Sequence, residues 1–431
     1  FFDFSGFFRC FIKLFNFTQS WYAFCMYLQM SALISVNHNY ADNSTLPFSP
    51  LIEGESEVMS MPLSKAGVSR AFGSPSRYIQ GPGELRNLPS LTKAYGSSAF
   101  LLIDRFFYPE YAPLFQQLFS EAGVSLICEE FAGECCDREM HRLKELAAPE
   151  VPQVFIGIGG GKTCDTVKGL ADLCGGATIV CPTALSTDAP TSVHSVVYRE
   201  DHSYYLMVHR SNPDIVLVDT AVAINASPRM FAAGMGDALA TYLEARACLE
   251  SGNVNNVGSG YRQTLLGMAV ARLSFDVLMA KGREAYLAAR SHTRTDAFED
   301  VAEANTLLSG VGFENTGCSI AHGLQASFAT LPETAGSMHG EQVAFGALCQ
   351  LVVENRPTDE FERIYRFCRD VHLPVSLAEL GITENVRSSV EKAVDYGMAN
   401  KAILQIEPFA VTKERLLNAI FYVDAYAKEH P

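Results

Sequence analysis

The sequence Gly157-Ile158-Gly159-Gly160-Gly161-Lys162-Thr163 decides the fold of this chain. It follows an apolar run at residues 154–156 that is typical of a buried parallel strand, and it precedes residues 166–173, whose apolar side chains recur at helical spacing. Glycines let the backbone approach a ligand closely, and the free N–H groups of a helix N-terminus attract negative charge. The glycines alone also fit a plain tight turn. The flanking strand and helix favour a phosphate site.

Two common phosphate-binding motifs do not match this turn. A Walker A loop has four residues between its first glycine and Gly-Lys-[Ser/Thr], whereas three residues separate Gly157 from Gly161 here. The dinucleotide fingerprint Gly-x-Gly-x-x-Gly is not met either, because position 162 is lysine. The turn is therefore a third kind of glycine turn, and an NTPase is disfavoured.

The composition is that of a globular, acidic protein. The chain has 431 residues, enough for two domains, and a net charge of −15, which would repel a nucleic acid backbone. Its 12 cysteines include no Cys-x-x-Cys spacing, so neither a zinc ribbon nor a thioredoxin site is indicated. We expect reduced thiols and a cytoplasmic location.

The first 66 residues differ from the rest of the chain. No charged side chain occurs between Lys13 and Asp42, and residues 14–36 are long enough to span a bilayer but are interrupted by polar side chains. The arginines of a mitochondrial presequence are missing. We expect residues 1–66 to be a dispensable extension, disordered or involved in targeting. The alternatives are a membrane segment, a translated upstream region and a fragment of a longer chain.

Strands and helices alternate over residues 67–226. Each strand is a continuous apolar run, which is typical of a parallel sheet covered by helices on both faces. A hairpin is predicted where residues 196–198 and 204–208 flank a charged turn. This part is predicted to be an α/β dinucleotide-binding domain. The predicted strands of its sheet are residues 99–104, 124–129, 154–156, 178–182 and 215–219.

The pattern changes after Ser227-Pro228, where a serine cap and a proline at the first helical position indicate a helix start. Helical spacing dominates from there, so residues 227–431 are predicted to form an all-helical domain that binds metal and substrate. The predicted helices are residues 238–250, 261–280, 298–310, 343–354, 359–370, 385–395 and 413–428.

Three polar side chains of the helical part stand among small apolar residues: Asp237, His322 and His339. A carboxylate in an apolar helix costs several kcal/mol unless a partner compensates it. One carboxylate and two imidazoles can hold a zinc ion and leave a fourth position open. The alternative is that Asp237 pairs with an arginine such as Arg246, while His322 bonds to backbone and His339 caps a helix.

Four stretches, residues 157–163, 182–192, 236–241 and 339–346, together resemble the glycerol dehydrogenases. These belong to the superfamily of iron-containing alcohol dehydrogenases and dehydroquinate synthases. The resemblance runs from about Arg70 to the C-terminus. It implies a dinucleotide-binding domain followed by a helical metal-binding domain, with the active site in the cleft between them.

The resemblance also implies residue roles. Asp104 would accept the adenosine ribose hydroxyls, which favours NAD over NADP, and Asp188 would face the substrate as the catalytic carboxylate. The metal ligands would be Asp237, His322 and His339. The remaining cofactor contacts would be Gly159, Gly160, Gly161 and Lys162 at the pyrophosphate, and Thr183, Ser186, Ser192 and Tyr198 around the adenine and nicotinamide.

Departures from the family pattern narrow these expectations. Iron-dependent relatives carry a further histidine one turn after the ligand aspartate, and that position is Thr241 here. Three protein ligands suit zinc with an open position better than a four-ligand iron site. A second histidine common in relatives is replaced by Gln325. Dehydroquinate synthases have glutamate in place of Asp237, which weighs against their activity.

The implied function is NAD-dependent oxidation of glycerol, or a related vicinal diol, to dihydroxyacetone at a zinc ion, in a homo-oligomer that does not bind nucleic acid. One alternative is a sister activity of the superfamily, such as a glycerol-1-phosphate dehydrogenase. The other is a non-catalytic paralogue that has kept the fold.

Overall fold

The computed structural model describes residues 69–199, 204–258 and 260–430, all of which belong to one compact unit. The predicted extension, residues 1–66, lies outside the described residues. None of the helices in the described ranges has the length and apolar character that crossing a bilayer requires.

A six-stranded sheet is the centre of the first part of the fold. Its strands run in the order β1-β8-β5-β4-β2-β3, and every neighbouring pair is parallel. The predicted hairpin is confirmed, since β6 and β7 pair antiparallel. The strands are β1 (Arg77–Gly81), β2 (Ser98–Asp104), β3 (Ser125–Phe131), β4 (Val154–Gly159), β5 (Ala177–Pro182), β6 (His194–Tyr198), β7 (Tyr204–Val208) and β8 (Ile215–Asp219).

In the described ranges, helices cover both faces of this sheet and dominate the residues that follow it. Four of them, α1 to α4, precede β5, and α5 follows β8 directly. The helices are α1 (Leu88–Thr92), α2 (Tyr108–Glu121), α3 (Asp137–Ala147), α4 (Gly161–Cys174), α5 (Thr220–Ala223), α6 (Pro228–Glu250), α7 (Leu265–Arg290), α8 (Asp296–Glu303), α9 (Ser309–Thr316), α10 (Ile320–Phe328), α11 (His339–Val353), α12 (Thr358–Asp370), α13 (Val386–Asn400) and α14 (Lys413–Glu429).

The connection pattern opens a crevice between β2 and β4. The chain leaves β2 through α2, which packs with Leu101 and Ile103 on one face of the sheet, and leaves β4 through α4, which packs with Phe100 and Phe155 on the other face. Ligands of open α/β sheets bind at such a point, outside the carboxyl ends of the strands. The crevice thus lies where β2 ends in Asp104 and β4 ends in the glycine turn.

The predicted fold class, an α/β part followed by a helical part, is confirmed. Within the described ranges, all strands of the sheet lie before residue 220 and the long helices follow Pro228. The domain boundary near residue 226 stays a prediction. The patterns miss β1, a short and half-exposed edge strand, and α10, a short helix of mostly small side chains.

Three predicted helices have clearly different bounds in the structure. The helix predicted at residues 238–250 begins earlier, at Pro228. The helix predicted at residues 261–280 begins later, at Leu265 behind the cap Thr264, and runs on to Arg290. The one predicted at residues 298–310 is part of a longer helical run in which a π-helical turn, Ala304–Leu308, joins α8 to α9. Periodicity alone does not reveal this turn, because the apolar residues continue through it.

Candidate active site

The glycine turn between β4 and α4 leaves no room for a side chain at Gly159. A β-carbon on Gly159 would overlap the Thr163 hydroxyl and lie 3.0 Å from the β-carbon of Asp104. Gly160 is the N-cap of α4 and offers no side chain to its free N–H groups. Thr163 Oγ1 is buried without a hydrogen-bond partner among the described residues. A turn that is open to a ligand, together with an orphaned hydroxyl at the helix start, fits a bound pyrophosphate.

The charged residues predicted around this turn are half-exposed. Asp104 uses Oδ1 to accept the backbone N–H of Phe106 at 3.0 Å, which fixes its carboxylate at the crevice. Lys162 pairs with Glu134 at 2.6 Å and lies 5.0 Å from the ring centre of Tyr198. Because exposed ion pairs are weak, a diphosphate could draw Lys162 away from Glu134 at little cost. The structure therefore places Asp104, Lys162 and Tyr198 around the glycine turn.

A loop after β5, residues 183–192, carries the other predicted contacts. Thr183 donates its N–H to the Gly159 carbonyl at 2.9 Å, which joins the loop to the glycine turn. Lys168 is buried on α4, and its ammonium group bonds to the carbonyls of Ala189 and Ser192 at 2.8 and 3.3 Å. The loop is thus fixed against α4. Ser186 lies half-buried on it.

The three predicted metal ligands converge. Nε2 of His322 and Nε2 of His339 lie 3.3 and 3.2 Å from the same oxygen, Oδ1 of the fully buried Asp237. Asp237 comes from the middle of α6, His322 from the first turn of α10 and His339 from the first residue of α11. Residues about 100 positions apart in sequence therefore form one cluster of potential metal ligands.

The alternative partners considered for these residues are wrong. Arg246 pairs with Glu360 at 2.6 Å rather than with Asp237. The N-cap of α11 is Met338, so His339 is not a cap. His322 Nδ1 bonds to the carboxylate of Glu244 at 2.6 Å rather than to backbone.

Glu244 is the site residue that the sequence reasoning missed. It is fully buried, and its Oε1 accepts the backbone N–H groups of Ser319 and His322 at 2.8 and 2.9 Å. An ionised carboxylate only accepts, so Glu244 Oε2 requires a proton on His322 Nδ1. The signal was present in the sequence, since Glu244 follows Asp237 by seven residues, two turns along the same face of α6.

The hydrogen bond between His322 Nδ1 and Glu244 Oε2 bears on whether a metal ion fits the cluster. In neutral His322, a proton held at Nδ1 leaves a lone pair on Nε2 that faces Asp237 Oδ1, which is repulsive unless a positive charge lies between them. Burial opposes a charged His322, but the carboxylate of Glu244 raises its pKa above the ordinary value. Burial opposes an ionised Asp237, but His339 and His322 lower its pKa below the ordinary value. The cluster therefore favours a positive charge at its centre, and its donor set suits a divalent cation.

Asp188 connects the loop to this cluster. Its backbone N–H approaches Asp237 Oδ2 at 3.4 Å, and its Oδ2 accepts the hydroxyl of Ser309 at 2.6 Å. Burial and the adjacent Asp237 raise the pKa of Asp188, an effect that a nearby cation would reverse. The predicted catalytic carboxylate and the three predicted ligands thus form one polar cluster.

Several known proteins are similar to this chain over most of their length. The family model of the iron-containing alcohol dehydrogenases matches residues 75–220. The glycerol dehydrogenase of Escherichia coli O6:H1 is 37% identical over 363 residues, which are 84% of this chain and 98% of that protein. The glycerol dehydrogenase of Pseudomonas putida is 38% identical over 359 residues, which are 83% and 98% of the two chains. The crystal structure of a probable glycerol dehydrogenase from Sinorhizobium meliloti 1021 has a TM-score of 0.78 at 40% identity and covers 84% of this chain and 99% of its own.

Proposed function

The chain belongs to the iron-containing alcohol dehydrogenase family, and from this membership we infer that it oxidises glycerol to dihydroxyacetone with NAD. The observation that carries this inference is the similarity to glycerol dehydrogenases over nearly their whole length, 98% in two relatives. The cluster of Asp237, His322 and His339 supports it, because alcohol oxidation at a metal needs such a site.

The cofactor is NAD, bound at the carboxyl ends of β2 and β4, and a metal ion assists the reaction. We propose that Gly159 to Gly161 and Thr163 receive the pyrophosphate, and that Asp104 accepts the ribose hydroxyls. The absence of space for a β-carbon at Gly159 supports this assignment. When bound, NAD would supply the nicotinamide that accepts a hydride from carbon 2 of glycerol, and the hydroxyl proton would be released.

The side chains of the cluster would hold the metal and orient the polyol. Asp237, His322 and His339 would bind a divalent cation, which supplies the Lewis acidity that lowers the pKa of a substrate hydroxyl. Asp188 would accept a hydrogen bond from a substrate hydroxyl and thereby fix the carbon that gives up the hydride. Asp188 and Asp237 are buried, so water competes little for the hydrogen bonds of their carboxylates, whereas the His339 side chain is 42% exposed.

We propose zinc as the metal. The described residues bring three ligands together, and the position of the fourth ligand of iron-dependent relatives is Thr241, whose hydroxyl is engaged by Ser309 at 2.9 Å. Three nitrogen and oxygen ligands with an open position suit zinc. Elemental analysis of the purified protein tests this choice, with iron as the contrary result.

Glu244→Gln is expected to weaken zinc binding about 10- to 100-fold, because an amide group facing His322 Nδ1 no longer selects the tautomer that offers Nε2 to the metal. Titration with a competing chelator measures the affinity. Glu250→Gln is the matched control, since Glu250 lies on the same helix and pairs with Arg356 at the surface. Equal affinities of wild type and Glu244→Gln would contradict the role of Glu244.

Asp104→Asn is expected to raise the Kd for NAD about tenfold or more, because hydrogen bonds to a charged acceptor are lost while the bond to the Phe106 N–H is kept. Fluorescence titration measures the Kd, and the KM for glycerol should stay unchanged. Glu110→Gln, at the exposed start of α2, serves as the control. An unaltered NAD affinity would show that Asp104 does not contact the ribose.

NADH formation with glycerol, compared with glycerol 1-phosphate at equal concentration, tests the function. We expect a rate with glycerol at least about tenfold above that with the phosphate, because the relatives that match this chain over nearly their whole length are glycerol dehydrogenases. Preference for the phosphate would overturn the substrate assignment. The homo-oligomer implied by the family resemblance is a further proposal, which sedimentation analysis would test.

A further inference from the structure

The π-helical turn Ala304–Leu308 lies beside the loop that carries Asp188. A π-turn widens the helix by one residue and frees backbone carbonyls from the ordinary ladder, and such turns are frequent at functional sites. Here it separates α8 from α9 in an otherwise continuous helical run. The side chains and carbonyls that it redirects meet the loop at residues 183–192.

Two contacts fasten the turn to the loop. Asn305 donates from Nδ2 to the Leu185 carbonyl at 3.1 Å, and the Thr306 carbonyl accepts the Thr191 hydroxyl at 3.0 Å. All of these groups are buried. A β-carbon on Gly310 would overlap the Thr191 hydroxyl and approach the Asp188 carbonyl at 2.6 Å, so the helix and loop are packed backbone against backbone.

Ser309, the first residue after the turn, bonds to the Asp188 carboxylate. Its Oγ lies 2.6 Å from Asp188 Oδ2 and 2.9 Å from Thr241 Oγ1. A cation held by the cluster would keep Asp188 ionised, and an ionised carboxylate cannot donate, so the Ser309 hydrogen would point to Asp188 and Thr241 would donate to Ser309 in turn. A chain of two buried hydroxyl groups therefore ends on the carboxylate that faces the substrate.

The second carboxylate oxygen is left for the substrate. Among the described residues, the Asp188 side chain accepts one hydrogen bond, which runs from Ser309 Oγ to Oδ2. Rotation of the carboxylate would break this bond, which is charge-assisted and therefore among the stronger kinds when Asp188 is ionised. Oδ1 is thereby held in one direction, ready to accept a hydroxyl of a polyol.

We propose that Ser309 is a positioning residue for Asp188, placed by the π-turn and oriented by Thr241. This proposal rests on the proposed oxidation of glycerol. It also gives Thr241 a role: where iron-dependent relatives carry a histidine, this chain carries a hydroxyl that supports Ser309. Misalignment of a substrate-orienting group by about 1 Å costs up to a hundredfold in rate.

The test is a double-mutant cycle of Ser309→Ala and Asp188→Asn, measured as kcat and KM for glycerol. Ser309→Ala should lower kcat/KM about 10- to 100-fold, with unchanged metal content and NAD affinity. In the Asp188→Asn background the same substitution should lower it less than about threefold, because the two residues act as a unit. A purely structural role would reduce both backgrounds equally.

Ser274→Ala is the matched control, because Ser274 is equally buried and its hydroxyl contacts the Ala238 carbonyl rather than the loop. It should leave kcat/KM unchanged. If Ser309→Ala does not fold, Thr241→Val replaces it, with a smaller expected loss of about two- to tenfold.

Wild-type kcat/KM in Ser309→Ala, or in Thr241→Val if that variant is used instead, would overturn the positioning role and leave the proposed function intact. Equal losses in both backgrounds of the cycle would do the same. A wild-type protein without glycerol oxidation would instead overturn the proposed function, and the positioning role with it.

Discussion

Replacing His322 with alanine should remove the bound metal and lower glycerol oxidation by about a thousandfold or more, while the protein still folds. The substitution removes one of three ligands, and the Lewis acidity of the metal contributes several kcal/mol to catalysis. Folding should survive, because Glu244 keeps its two backbone N–H partners in the absence of the imidazole. Elemental analysis and kcat/KM measure the two effects.

The control for this prediction is His141→Ala. His141 lies on α3, and its ring contacts the carbonyl of Asp137 at the surface, so its loss should affect neither metal nor activity. A His322→Ala protein that is fully active would end the assignment of the metal site.

Replacing Asp188 with asparagine is expected to lower kcat roughly a hundredfold or more, with metal content and NAD affinity preserved. The amide oxygen can still accept the Ser309 hydroxyl, so the loop keeps its conformation. The amide nitrogen, however, presents a donor where the substrate hydroxyl needs an acceptor. The substitution should therefore affect the reaction without affecting the folded structure.

Steady-state kinetics with glycerol, together with NAD titration, check this prediction. Asp276→Asn provides the control, because Asp276 pairs with Arg272 on the exposed side of α7. A kcat close to that of wild type would mean that Asp188 does not touch the substrate.

Most of the fold could be predicted from local patterns. The strands of the sheet are apolar runs with buried side chains, as in β4. The run of glycines locates the turn directly after that strand. The edge strand β1 could not be predicted, because its burial comes from pairing with β8, more than 130 residues later in the chain. Pairing over such a distance leaves no local periodicity.

The candidate site could be predicted in part. Polar residues in apolar surroundings indicate Asp237, His322 and His339, and the resemblance assigns their roles. Composition could not show that two imidazole nitrogens meet one carboxylate oxygen, because that convergence depends on how α6, α10 and α11 pack. Ser309 could not be found either, because a π-turn shifts it out of the helical register.

The most direct test of the central claim is NAD reduction by glycerol before and after removal of metal with a chelator, followed by addition of zinc. The account predicts that chelation abolishes NADH formation and that zinc restores it in wild type but not in the His322→Ala protein. A chelated protein, free of metal by elemental analysis, that still reduced NAD at the original rate would contradict it.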